Sequence, residues 1–423
     1  MLNILCLLAL LMMFYFVDRR LKVVQFFFWV GFLPGFLSVL FLSSNQVFIT
    51  EQARESFENN AALYLIAAVT LHFVGLYFSQ YIFSRDFRNL QERRPTGAYS
   101  RLIIFKLLPP LILFLLYANL FVSGGVPIFQ SGYIDRFGYL QGTLLWPVLR
   151  FLGAIAMPLV ILLGYSFYIS AGLRKITPLL YYVIYLGYIV LIGQKFGGII
   201  LSAFVFFLPV VMVQLRDNGF RFIKKYAVHL LLVAGFAFLL VSYHYSRYAM
   251  SEEFGGAWGF IKYRVLVLQG HLFWGVANEV DMLRNTLSPD FSGLYNAMQD
   301  MMLLVSPAAI AEGAIERGVN FAFGYFISFF YYIGFWGVLA YWLNGFVFGT
   351  ICYVCIKSVY QRDFTLYFFS IASLVWWIIY LQSGSVAVLL SLQSIVFHLA
   401  LITVPIFRKL LGRRIVVSNL QGA

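Results

Sequence analysis

Residues 262–275 read KYRVLVLQGHLFWG, and after Lys262 they bring an arginine, a glutamine and a histidine into largely apolar company. If 261–280 forms a helix, Arg264, Leu268, His271, Gly275 and Glu279 recur every three to four residues and share one face. Arg264 and His271 would then be separated by about 10.5 Å of helical rise, enough to flank one ligand. Arginine stays charged and grips phosphate or carboxylate oxygens with a planar fork, while His271 or Glu279 could accept a proton from an attacking hydroxyl. Gly270 and Gly275 each weaken such a helix by about 1 kcal/mol relative to alanine, so close approach of a substrate or a neighbouring helix is expected there. The alternative is an amphipathic helix lying at a membrane surface with its polar face in water.

Three further cations qualify. In SGGVPIFQSGYIDRFGYLQGTLLWP, residues 123–147, Arg136 is the single cation among aromatics and follows Asp135. It either anchors at an interface or holds an anion. Lys195 sits in GQKFGG, where glycines permit close backbone approach to a ligand, although a lysine that snorkels to water fits the same position. Arg247 follows His244 in HYSRYAMSEEFGG at the start of a long polar stretch.

Other chemistries lack their residues. The chain has no Walker loop, H-E-x-x-H, nucleophile elbow or dinucleotide fingerprint, and its five histidines are scattered over separate segments. Cys352 and Cys355 have a C-x2-C spacing but lie in an apolar run without a second ligand pair, so no zinc site is expected. Neither a metal nor an organic cofactor is implied.

The elements that must position these residues are membrane helices. Of 423 residues 62% are hydrophobic and only 11% charged, against about 25% charged in a soluble domain. Continuous apolar runs of roughly 17 to 25 residues match the length of a helix crossing about 30 Å of hydrocarbon, and barrel strands would alternate instead. The net charge of +13 reflects cations clustered in short loops, which excludes nucleic acid as the implied partner and makes the bilayer the partner of the apolar surface.

Clusters at 18–22, 84–101, 172–175 and 216–225 are expected to face the cytoplasm, with spans near 1–17, 23–43, 61–83, 102–123, 148–170, 179–193, 198–215 and 227–243. Parity then requires 321–334 to be a short interfacial or re-entrant segment, followed by spans near 335–357, 364–382 and 384–406. The expectation is an all-α polytopic membrane protein: one domain over 1–423, about eleven spans, the N-terminus outside and the C-terminus inside. Residues 44–60, the smaller loop 124–147 and the large loop 244–320 lie on the outer side in this layout.

Several arginines and a lysine beside a membrane-embedded cavity suit a lipid phosphate or diphosphate, which is also a leaving group. With a sugar attached, the reaction is glycosyl transfer: an acceptor hydroxyl attacks the anomeric carbon while the cations stabilise the departing diphosphate.

This layout resembles the Wzy-type O-antigen and oligosaccharide repeat-unit polymerases of bacterial envelopes. Arg264, ten residues and then Gly275 match an arginine, ten residues, glycine pattern of an outer loop in that family, whereas Arg136 and ten residues lead to Pro147. GQKFGGIILS, where Lys195 opens a helix, and FGYFISFFYYIGFWGVLAYWLNGFVFG resemble other features of the family. The resemblance implies a GT-C-like membrane fold and a metal-independent polymerase at the periplasmic face of the bacterial inner membrane. It also implies undecaprenyl-diphosphate-linked repeat units as substrate, and a chain-length regulator membrane protein as a further partner. By the same resemblance Arg136 and Arg264 bind the diphosphate or its neighbouring sugar. Lys195, Arg247, His271 and Glu279 join them on position and chemistry alone. O-antigen ligases share the layout, but the chain has no clear ligase-like histidine motif. A lipid-linked oligosaccharide flippase would also use cations, but transporters place binding groups near the midplane and often show internal repeats.

Overall fold

A computed structural model describes residues 32–89, 104–122, 126, 146–192, 196–218, 253–316 and 321–420, with isolated helical positions at 235, 239 and 242. The expected first span, nearly all of the span near 227–243 and of the loop 124–147, and residues Arg136, Lys195, His244 and Arg247 lie outside this description.

Among the described residues about 81% are helical. Helix α1 covers Phe32–Leu42. A two-residue hairpin follows, β1 (Phe48–Ile49) and β2 (Arg54–Glu55), antiparallel with Phe48 opposite Glu55 and Ile49 opposite Arg54. Then come α2 (Ala61–Asn89), α3 (Ile104–Val122), α4 (Trp146–Ile169), α5 (Ile176–Leu191) and α6 (Phe196–Asn218). Short helices follow: α7 (Ala257–Tyr263), α8 (His271–Ala277), α9 (Met282–Leu287), α10 (Ala297–Val305), α11 (Ala308–Glu316) and α12 (Tyr325–Ile333). The C-terminal part holds α13 (Trp336–Gln361), α14 (Phe364–Ser383) and α15 (Leu392–Leu420).

Segments within α2, α13 and α14, namely Ala61–Asp86, Trp336–Gln361 and Phe364–Ser383, are long and apolar enough to cross a membrane. Apolar stretches within α1, α3, α4, α6 and α15 are shorter. In hydrocarbon every backbone amide needs a partner, and a helix supplies all of them within one segment. The expected span starting at 384 begins later: 386–388 is a 3-10 turn and α15 starts at Leu392.

The tightest seam joins α2 to α13. A Cβ on Gly345 would collide with the His72 carbonyl, one on Gly75 with the Trp342 carbonyl, and one on Gly349 with the Ser79 hydroxyl. Gly345 and Gly349 form the small-x-x-x-small spacing that lets two membrane helices bring their backbones together. Cys352 and Cys355 are buried, free thiols of α13.

The expected short segment at 321–334 contains α12, whose nine residues rise about 13.5 Å and cannot cross about 30 Å of hydrocarbon. It is buried on nearly every side, with Tyr325, Phe326 and Ile327 fully enclosed. Its entry is pinned by the Gln382 carbonyl at the end of α14, which accepts from Phe323 N at 3.1 Å and Gly324 N at 3.3 Å. Gly334, at φ +55°, turns the chain into α13, and any Cβ there would press on the Met282 carbonyl and Thr286.

The contacts sort loops into two ends. At one end Asp86 accepts from Tyr353 Oη at 2.9 Å and lies 3.8 Å from Lys357 Nζ, while Arg362 stacks on Tyr168. At the other, the hairpin meets residues 263–278, and the 384–388 turn is hydrogen-bonded to Leu294 and Tyr295. Segments expected on a common side of the membrane therefore lie together.

Candidate functional site

The stretch from 257 to 279 is not one helix. α7 ends at Tyr263, Arg264–Leu268 form a π turn, Gln269 and Gly270 make a turn, and α8 starts at His271. The break has a steric cause: a Cβ on Gly270 would come within 2.6 Å of Val39 N and 2.9 Å of the Gly35 carbonyl, so α1 packs directly on this backbone. Ser38 Oγ accepts from Gly270 N at 2.9 Å and donates to the Val267 carbonyl at 2.7 Å, which satisfies groups the irregular turn leaves over. The common face expected for Arg264, His271 and Glu279 is therefore replaced by three different environments.

Arg264 opens the π turn, half-buried, with its guanidinium carbon 5.6 Å from the centre of the Phe260 ring. His271 is 1% exposed. Its Nδ1 lies 2.7 Å from the Leu268 carbonyl, which only accepts, so Nδ1 carries the proton and Nε2 presents a bare lone pair. Nε2 is buried without a hydrogen-bond partner among the described residues, and the Phe321 ring sits edge-on at 4.6 Å. Burial pushes the imidazole pKa down, while the Glu51 charge and the Leu268 bond pull it back, and the net direction is downward. The ring is neutral at neutral pH. Glu279, beyond α8, is exposed.

The hairpin supplies polar partners that sequence reasoning did not single out. Tyr263 Oη donates to Glu51 Oε2 at 2.7 Å and accepts from Thr50 N at 2.8 Å. Burial, and then the Glu51 carboxylate, hold the phenol well above its ordinary pKa. Gln52, almost fully buried, donates from Nε2 to the His271 carbonyl at 2.9 Å and accepts at Oε1 from Arg54 Nε at 2.9 Å. The Arg54 guanidinium lies 5.2 Å from the centre of the fully buried Trp274 ring. Farther along, Asn59 Nδ2 reaches the Trp274 carbonyl and Asn278 Oδ1, at 3.1 and 2.8 Å. The available signal was the charge density of TEQARESFENN, residues 50–60, an unusually polar run between two apolar ones.

Arg264, His271 and Glu279 thus belong to one short segment clamped by the hairpin, while Arg136, Lys195 and Arg247 fall outside the described residues. Among the described residues no three histidine, cysteine, aspartate or glutamate side chains form a metal-ligand group. Chemically, the seam offers cations on aromatic faces, a bare imidazole nitrogen, and carboxylates at Glu51 and Glu279.

Fold and seam together define a helical protein with membrane-compatible helices and an irregular polar segment strapped across one end. Residues 292–398, about a quarter of the chain, match a family of unknown function, DUF6418. The match runs from just before α10 into α15, and it leaves the hairpin and residues 257–279 outside. No curated protein and no solved structure matches the chain.

Proposed function

We propose that this protein is a membrane-embedded glycosyltransferase that polymerises undecaprenyl-diphosphate-linked oligosaccharide repeat units. It crosses the bacterial inner membrane about eleven times and works at the periplasmic face. The observation that supports this reading most directly is the seam itself: Arg264 on an aromatic ring, a neutral histidine and an open carboxylate, gathered in one segment beside the helix bundle. The contacts of 44–60 with 263–278, and of the 384–388 turn with Leu294 and Tyr295, support the sidedness on which the reading depends.

In this mechanism Arg264, with Arg136, Lys195 and Arg247, neutralises the diphosphate. The acceptor hydroxyl attacks the anomeric carbon, the bond from that carbon to the diphosphate oxygen breaks, and the diphosphate leaves with the electron pair. The hydroxyl proton goes to a base within hydrogen-bond reach. Glu279 is open to solvent and His271 is sealed under Phe321, so we assign the proton to Glu279 and a positioning role to His271.

Purified protein supplied with lipid-linked repeat units tests this. Arg264→Ala is expected to lower kcat by about 100- to 1000-fold, the range for losing one stabiliser of transition-state charge. Glu279→Gln should lower kcat more than His271→Gln does. In cells, Arg264→Ala should leave single repeat units at the surface without long chains. Loss of all surface repeat units would point to transport or ligation instead. Absence of any chain extension by the purified wild type would rule the polymerase out.

A further inference from the structure

The motif glycine Gly275 leads to an arginine in a different loop. A Cβ on Gly275 would stand 2.8 Å from Gln52 Nε2 and 3.0 Å from both Arg54 Nη2 and Val305 Cγ1, so the Gln52 and Arg54 pair, with Val305, occupies the space a side chain would need. The pair is held firmly. Gln52 uses its amide N–H on the His271 carbonyl, which fixes its oxygen toward Arg54 Nε, and the guanidinium lies against Trp274. Trp274 is itself locked, its indole N–H donating to the Phe57 carbonyl at 3.2 Å.

A guanidinium carries five N–H donors, and here only the Nε donor has a protein acceptor among the described residues. Both Nη groups are left over. Glu279 is close enough for its charge to act on Arg54, but the two form no salt bridge. An arginine fork can grip a carboxylate or a phosphate bidentately; this one is held at Nε and against Trp274, with its terminal donors unspent on the described residues.

We infer that Arg54 is an oxyanion-binding residue, set by Gln52, Trp274 and the bare Gly275, and that it receives a phosphate oxyanion of the substrate. On the proposed function this is the diphosphate of the lipid-linked donor, and the inference rests on that reading for the identity of the ligand. The chemistry is shared by a lipid-bound diphosphate and by free pyrophosphate. Arg54 stands on the first loop and Arg264 on the large one, and the contacts that join the two loops combine cations that neither loop holds alone.

Binding to the full-length protein in lipid nanodiscs decides the matter, with undecaprenyl diphosphate and inorganic pyrophosphate as separate probes and undecaprenol as the uncharged control. Arg54→Ala is expected to weaken diphosphate binding at least about tenfold, as loss of a charge-assisted pair does. Arg54→Lys keeps the charge without the fork and should fall between Ala and wild type. Gly275→Ala leaves every charged group present and should also weaken binding by crowding the fork. Thermal melting of each variant shows whether it folds, and Arg54→Lys carries the test if Arg54→Ala does not. Wild-type affinity in folded Arg54→Lys and Gly275→Ala overturns the inference. Arg54-dependent binding of either diphosphate without turnover of repeat units keeps the site and removes the polymerase. Turnover with kcat and KM untouched by Arg54→Lys keeps the polymerase and removes the site.

Discussion

At the residue scale, His271 shows how burial changes a side chain's job. An imidazole 1% exposed, with one nitrogen spent on the Leu268 carbonyl, is neutral and held rigidly. Its pKa lies below the ordinary 6.5, so between the two values the unfolded chain binds a proton that the folded chain does not. Stability from this residue is complete above about pH 6.5 and is lost as pH falls through the lowered folded value. Melting temperatures of wild type and His271→Gln between pH 7.5 and 5 should therefore converge on acidification. A gap that stays constant would mean that His271 takes up protons freely in the folded state. On the proposed function, the same burial is the reason the proton-accepting role is assigned to Glu279, which is open to solvent.

At the element scale, the hairpin works as a strap. Two residues per strand and an isolated pair are too little to be stable in water alone. Its hold comes from Glu51, Thr50 and Gln52 reaching into 263–271, and Tyr263 is the tie immediately before the π turn. Tyr263→Phe removes one hydroxyl but leaves Thr50 N without its acceptor and Glu51 without its donor, at a cost of about 1 to 2 kcal/mol. The expected result is a melting temperature a few degrees lower. Because Arg264 is the next residue, KM for the lipid-linked donor should rise as well. An unchanged melting temperature would mean the strap contributes nothing. The element was legible only as a charged run, because a hairpin this short has no periodicity; its shape is set by the surface it lies on.

At the scale of the whole molecule, the end contacts gather the described loops into two groups, and the proposed function puts each group on one side of the membrane. Asp86 with Lys357, and Arg362 with Tyr168, define one end; Glu51 with Tyr263, and Ser385 with Tyr295, define the other. Single cysteines placed at Glu58, Glu279 and Leu390 should all react with a membrane-impermeant maleimide added outside intact spheroplasts, while one at Arg174 should react only after lysis. Labelling of Arg174 from outside together with silence at the other three would invert the orientation and remove the periplasmic site.

Composition and apolar run length by themselves determined the helical, membrane-associated class and the positions of α2, α13 and α14. A segment facing hydrocarbon must satisfy its own backbone, and that demand is written locally in every residue of the run. The shortness of the segment before α13 was likewise readable, since a basic C-terminal tail on the cytoplasmic side leaves room for only one crossing between 321 and 357. What only the tertiary structure decided was the site. Gly270 and Gly275 announced close approaches, but not that α1 makes the first and Arg54 the second. A π turn and a break replaced the smooth helix because α1 packs on its middle at Gly270 while the hairpin holds Tyr263 and His271 on either side. Those contacts join residues more than two hundred positions apart, and no local pattern of hydrophobicity or charge records a partner at that distance.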